Sequence, residues 1–122
     1  MASKSSQRRP DELLPLTPAT FHILLALADA ERHGYGVMQE VAARTGGVIR
    51  LGPGTLYGSL KRLAGDGVVE ESEERADPGD DERRRYYRLT PFGRAVARAE
   101  ARRMAAVVQL ARSKRLIGVE TA

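Results

Sequence analysis

Between Gly52 and Val69 the chain reads GPGTLYGSLKRLAGDGVV, and five of its side chains, Thr55, Tyr57, Ser59, Lys61 and Arg62, are hydrogen-bond donors. Leu56, Leu60 and Leu63 recur at i, i+4 and i+7, the apolar stripe of a helix with one buried side. Thr55, Ser59 and Arg62 repeat the same spacing and are expected on the exposed arc, which Tyr57 and Lys61 extend. Such donors reach phosphates and base edges, the chemistry of nucleic-acid binding. Gly58 lies inside the helix at a cost of roughly 1 kcal/mol relative to alanine, and it leaves room for a phosphate backbone to come close. A second basic group, Arg83, Arg84 and Arg85 in RRRYYR, follows within about twenty residues.

Charge along the chain is segregated. Net charge is +4, yet residues 70–82 hold eight acids and one arginine, while residues 94–115 hold seven basic residues against Glu100 alone. Basic clusters are the electrostatic footprint of nucleic-acid binding. The acids before RRRYYR either pair with it or repel DNA from the wrong register. Other chemistries lack their residues. With no cysteine, disulfides, thiol catalysis and Cys-rich zinc sites are excluded. His22 and His33 are the only histidines and stand at no metal-ligand spacing, so no metal and no cofactor is expected. No phosphate-binding loop, nucleophile elbow or paired acid and base occurs, so an enzyme is not expected. No apolar run approaches the ~20 residues of a membrane span, and MASKSSQRRP lacks the apolar core of a secretory signal. A cytoplasmic protein is the expectation.

The elements that must carry these residues can be laid out in order. Residues 1–14 read as a disordered basic arm. Thr17-Pro18 opens a first helix, threonine as N-cap and proline at N1, with Phe21, Leu24, Leu25 and Ala28 on its apolar face, ending by about Glu31. A second helix, roughly Tyr35 to Arg44, buries Met38, Val41 and Ala42 and stops at Gly46-Gly47. Val48 to Leu51 is a short extended piece, and the third helix runs from about Pro53 to Ala64. Strands follow at Val68 to Glu74 and Arg84 to Leu89, joined through Asp77-Pro78-Gly79-Asp80, a turn sequence. Tyr86 and Tyr87 point to opposite faces. Tyr87, which shares its face with Leu89, is expected in the core, and Tyr86 sits with Arg84 and Arg88 beside the wing. A final helix runs from Pro91 to about Leu116. The fold class is mainly α (α+β): a winged helix-turn-helix domain over 15–90, a dimerisation helix over 91–117 and a disordered tail over 118–122. In such a fold the third helix lies in the DNA major groove.

The last helix carries Ala97, Ala101, Met104, Val108 and Ala111 at 4-3-4-3 spacing, a seam for a partner helix. It is too long for three small helices to cover, while Val107 and Leu110 widen it and can pack on helix one.

HGYG (33–36), GPGTLYGSLKRLAGDGVV (52–69), RRRYYRLTPFGR (83–94) and the single terminal helix resemble, in that order, the PadR family of bacterial transcriptional regulators, in its short-tailed branch. The resemblance covers about residues 15–115. It implies a homodimer, usually a repressor, that binds double-stranded DNA at an inverted-repeat operator and is released by a small-molecule effector. Carried over position by position, Tyr35, Thr55, Tyr57, Ser59, Lys61 and Arg83 to Arg85 face DNA. Some short-tailed members hold flat aromatic drugs between tryptophans, and this chain has no tryptophan. An effector pocket at the dimer centre is therefore expected to be lined by Phe21, Leu25, Met104, Val108 and Ala111. The competing reading is a winged-helix protein-interaction module without specific DNA binding, which would need neither the donors on helix three nor three consecutive arginines.

Overall fold

A computed structural model describes residues 8–76 and 83–118, apart from the side chains of Glu74, Ala76 and Arg83. The turn expected at Asp77 to Asp80, and most of the arm and tail, lie outside the described residues. Helix α1 spans Pro18–Ala28 and opens as Thr17-Pro18 dictates, the Thr17 hydroxyl accepting the Thr20 amide at 3.1 Å. It ends three residues before Glu31 because Arg32–His33 form a short strand, β1. Arginines cap its last carbonyls: Arg32 Nε donates to the Ala26 oxygen at 2.6 Å and Arg94 Nη2 to that of Ala28 at 3.1 Å.

Helix α2, Gly34–Arg44, is capped by His33, whose Nδ1 accepts the Gly36 amide at 3.0 Å. Its inward line is Val37 and Val41, with Met38 and Ala42 only half-buried, a rotation of about one residue from the expected face. Gly46 and Gly47 take positive φ angles of 62° and 83°. The following piece is not extended. Thr45 donates to the Val41 carbonyl at 2.8 Å and accepts the Ile49 amide at 3.0 Å, folding the chain around its hydroxyl. Ile49 and Leu51 thereby reach the core, while Val48 is left 85% exposed. Helix α3 spans Pro53–Gly65.

Strands β2, Val69–Ala76, and β3, Arg83–Leu89, pair antiparallel with Val69 opposite Leu89 and Glu70 opposite Arg88, and an irregularity lies between Glu71 and Glu74. β1 adds to the free edge of β3, giving the order β1-β3-β2. Helix α4, Pro91–Ser113, is capped by Thr90, whose hydroxyl accepts the Gly93 amide at 2.9 Å. Gly93 lies so close to the Val68 carbonyl that any β-carbon would overlap it, which is how α4 enters the core beside β2. The helix stops at Ser113 rather than near Leu116, and Arg115 turns into the left-handed region at φ 63°.

Ile23, Leu24, Val37, Leu56, Leu60, Val68 and Val96 form one core between these elements. The described part of the supposed arm is seated on it. Pro10–Leu13 make a 3-10 turn, and Leu13, Leu14 and Leu16 pack against the core. Arg8 pairs with Asp66 at 3.2 Å. Glu100, 1% exposed, accepts the Leu16 amide at 2.9 Å and is bound by Arg103. The leucines need cover and the buried carboxylate needs donors, so this stretch does not stay free. Helices α2 and α3 with the β2–β3 hairpin form a winged helix-turn-helix. Among the described residues no helix is long and apolar enough to cross a membrane.

Candidate nucleic-acid interface

Helix α3 buries Leu56, Leu60 and Leu63, as their spacing requires, and Ser59 with them. Ser59 is 7% exposed, so its expected place on the outward arc is corrected. At 100° per residue Ser59 falls beside Leu56 and Leu63, and its hydroxyl is satisfied from the rim by Arg62 Nη2 at 3.4 Å. The outward line is instead Gly54, Gly58, Lys61 and Gly65, flanked by Thr55 and Arg62 on one side and Tyr57 on the other. A β-carbon at Gly54, Gly58 or Gly65 would meet nothing within 4 Å. Internal packing does not require these glycines; they flatten the outer face.

Tyr35 stands on the first turn of α2, 52% exposed, its ring parallel to that of His33 with centroids 6.5 Å apart. The Arg84 guanidinium lies 5.9 Å from the Tyr35 centroid and 3.4 Å from His33 Nε2. His33 thus caps α2 and touches the wing at once. The HGYG motif contains that signal, but the resemblance pointed only to Tyr35. His33 also packs edge-on against Tyr86 at 5.3 Å, and Arg75 covers the other side of that ring at 3.8 Å. Tyr86 is therefore buried along with Tyr87, because β1 and Arg75 cover the sheet face expected to be open. Burial, reinforced by the nearby Glu71 carboxylate, raises the pKa of the Tyr87 phenol.

The segregated charges of the wing meet across the strands. Arg88 pairs with Glu70 at 2.8 Å and with Glu31 at 3.5 Å; Arg75 pairs with Glu31 at 3.2 Å, and Arg85 with Glu71 at 3.6 Å. The Ser72 hydroxyl beside it, short of a complete hydrogen bond, and the two guanidiniums lower the pKa of the Glu31 carboxyl. The side chain of Arg83 is outside the described residues. Antiparallel pairing of an acidic strand with a basic one sets carboxylates against Arg75, Arg85 and Arg88. Among the described residues Lys61 and Arg62 have no carboxylate within 4 Å, so α3 carries unpaired positive charge beside the wing.

On α4 every residue from Ala101 to Leu110 is exposed. Of the seam, Ala97 and Ala111 are half-buried, while Met104 and Val108 are open to solvent. Val107 and Leu110 are exposed too and do not pack on their own α1. The expected pocket residues do not come together within one chain. Phe21 is buried, and Leu25 lines a cleft of about 340 Å³ between α1 and α2 with His22, Asp29, Glu40 and Arg44, which contains neither Met104 nor Val108. Phe21 belongs to the inner line of α1 and is removed from that lining.

Residues 23–99 match the Transcriptional regulator PadR-like family. The chain is 48% identical over 91 residues to "Transcriptional regulator Rv3488" of Mycobacterium tuberculosis, covering 75% of this chain and 77% of that protein. It is 41% identical over 83 residues to an uncharacterized 37.1 kDa protein in transposon TN4556 of Streptomyces fradiae, covering 68% of this chain but only 22% of that protein. Among solved structures, a Streptococcus transcriptional regulator superposes with a TM-score of 0.68 at 20% identity, over 80% of this chain and 91% of that one. Bacillus subtilis PadR, solved in complex with operator DNA, superposes with a TM-score of 0.59 at 21% identity, over 70% of this chain and 47% of that one. The motifs, the winged helix and the family match over most of the chain agree: this protein belongs to the PadR-like family of transcriptional regulators.

Proposed function

We propose that the protein is a DNA-binding repressor that acts as a homodimer on an inverted-repeat operator. The observation that carries this reading is α3: three leucines fix its back to the core, and its front is a line of glycines around Lys61, flanked by Thr55 and Arg62, with no carboxylate against either cation among the described residues. Such a helix gains nothing for its own domain from that front, and it suits a major groove. The operator complex of Bacillus subtilis PadR, a protein of the same fold, supports double-stranded DNA as the partner. Tyr35, Tyr57, Arg84 and Arg85 border the same surface and contact phosphates, while Thr55 reaches base edges.

The homodimer reading rests on α4, where Met104, Val107, Val108 and Leu110 are all exposed. This apolar arc is wider than the seam alone. The partner's α4 covers Ala97, Ala101, Met104, Val108 and Ala111, and the partner's α1 covers Val107 and Leu110. An effector binds at the centre of that dimer, against Leu25, Met104 and Val108, and lowers operator affinity by preferring one dimer arrangement. Binding of genomic fragments, followed by sequencing, tests the core of the proposal. The expected result is an inverted repeat whose half-site centres lie about 34–36 Å apart, with affinity falling steeply in salt. Fragments without a common repeat, or a flat salt dependence, would overturn it.

A further inference from the structure

A cleft of about 390 Å³ opens between α3 and the wing. Tyr57 and Lys61 border it from α3, Arg85 and Tyr87 from β3 and Glu71 from β2, over a floor that includes Leu60. Two cations and two phenols here face one carboxylate. Lys61 has no carboxylate partner among the described residues, and Arg85 pairs with Glu71 at 3.6 Å, both side chains at least half exposed. Glu71 is fixed in place by register, paired directly opposite Tyr87. Glu70 and Glu31 bind Arg88 and Arg75, whose strand positions put them on the opposite face of the sheet.

The occupant follows from the geometry of duplex DNA, and this step rests on the DNA-binding reading above. If α3 enters a major groove and the wing reaches the neighbouring groove, one sugar–phosphate strand separates the two and must cross the space between helix and wing. We propose that this cleft seats a backbone phosphate of that strand, and that Glu71 opposes it. In the free protein Glu71 holds Arg85; on binding, the phosphate takes Arg85 and Lys61, and Glu71 is left facing an anion. Glu71 therefore weakens binding to every sequence equally, which restrains non-specific binding without reading bases.

A double-mutant cycle on the full-length chain tests this, with fluorescence anisotropy on a random-sequence duplex at fixed salt. Glu71→Gln is expected to tighten binding about five- to tenfold, the size of one close charge repulsion in a wet site. In an Arg85→Ala background, where Glu71 has no arginine to hold back and only its repulsion of the phosphate remains, the gain is expected to fall to about half or less, and Arg85→Ala alone is expected to lower the salt slope by about one. Glu70→Gln, which removes the same charge from the other face, is expected to stay within twofold of the parent. A gain from Glu71→Gln that is undiminished in the Arg85→Ala background, or is matched by Glu70→Gln, would reduce the effect to overall charge and overturn the seat. No gain at all would overturn it as well. If the parent protein fails to bind any duplex at low salt, the DNA-binding reading itself falls, a result distinct from a parent that binds and ignores Glu71→Gln.

Discussion

The hydroxyl of Tyr57 lies directly against the α-carbon of Gly34, so close that a β-carbon at Gly34 would overlap it. This contact joins the first turn of α2 to the outward side of α3, and it accounts for the glycine between His33 and Tyr35. Tyr57 is 46% exposed, so a methyl at position 34 would push the ring outward rather than break the core. Gly34→Ala is expected to change stability by less than ~1 kcal/mol, since Gly34 begins a helix and alanine is the better helix former. Duplex affinity should fall as far as it does for Tyr57→Ala, with the double variant no weaker than either single one. Thermal unfolding and anisotropy on the same four proteins check this; unchanged affinity for Gly34→Ala would show that the ring position does not matter.

Gly58 separates stability from binding more sharply. Its added β-carbon would meet nothing in the protein, so Gly58→Ala should stabilise the fold by up to about 1 kcal/mol through helix propensity. The same carbon stands on the outermost line of α3, where a DNA backbone must approach. The expected outcome is a higher melting temperature with at least tenfold weaker operator binding. A variant both more stable and equally tight would move the contact surface away from Gly58.

Which parts were legible in the sequence depended on whether the signal was local. Thr17-Pro18 and Thr90-Pro91 announced two helix starts because a cap and a fixed φ act within three residues, and both caps form as expected. The Leu56, Leu60 and Leu63 stripe likewise fixed the inner face of α3. Strand β1 was not legible, since two residues cannot display an alternation and Arg32–His33 are strand only through pairing with Tyr87 and Tyr86. Ser59 looked outward because it is polar, but a small hydroxyl at the rim of a buried face needs only one donor, and Arg62 supplies it. Acid next to arginine in the wing left pairing and repulsion equally open until register set Glu70 opposite Arg88.

In the proposed homodimer the exposed apolar arc of α4 is the interface. Met104→Glu or Val108→Glu would bury an unpaired charge in that interface, at a cost of several kcal/mol. Sedimentation should then report a monomer at micromolar concentration. Gln109→Glu, about 100° around the helix from Val108, should leave the dimer intact. Dimeric Met104→Glu would place the interface elsewhere, and a monomeric Gln109→Glu would show that charge alone, not the seam, controls assembly.

Glu100 links the N-terminal segment to α4, and its chemistry makes that link sensitive to acid. The Arg103 guanidinium, and with it the Leu16 amide, lowers the folded-state pKa of the carboxyl below its ordinary value of 4.5 despite burial. A depressed carboxylate stabilises the fold above its unfolded pKa and loses that contribution as pH falls through the folded one. Stability from this group should therefore be complete at pH 7, begin to fade near pH 4.5 and be gone below the folded value. A hydrogen bond to a charged group contributes about 1.5–3 kcal/mol. Arg103 is partly solvated and glutamine can still accept the Leu16 amide, so Glu100→Gln should cost only the low end of that range at neutral pH. The variant should also have a flatter acid limb than the parent, and the two unfolding curves should converge at low pH. Hydrogen exchange locates the effect, because the Leu16 amide should exchange faster in Glu100→Gln while the Val96 amide stays protected. Equal acid sensitivity in both proteins would mean that another carboxylate, Glu31 among the wing arginines being the first to try, sets the acid limit of the fold.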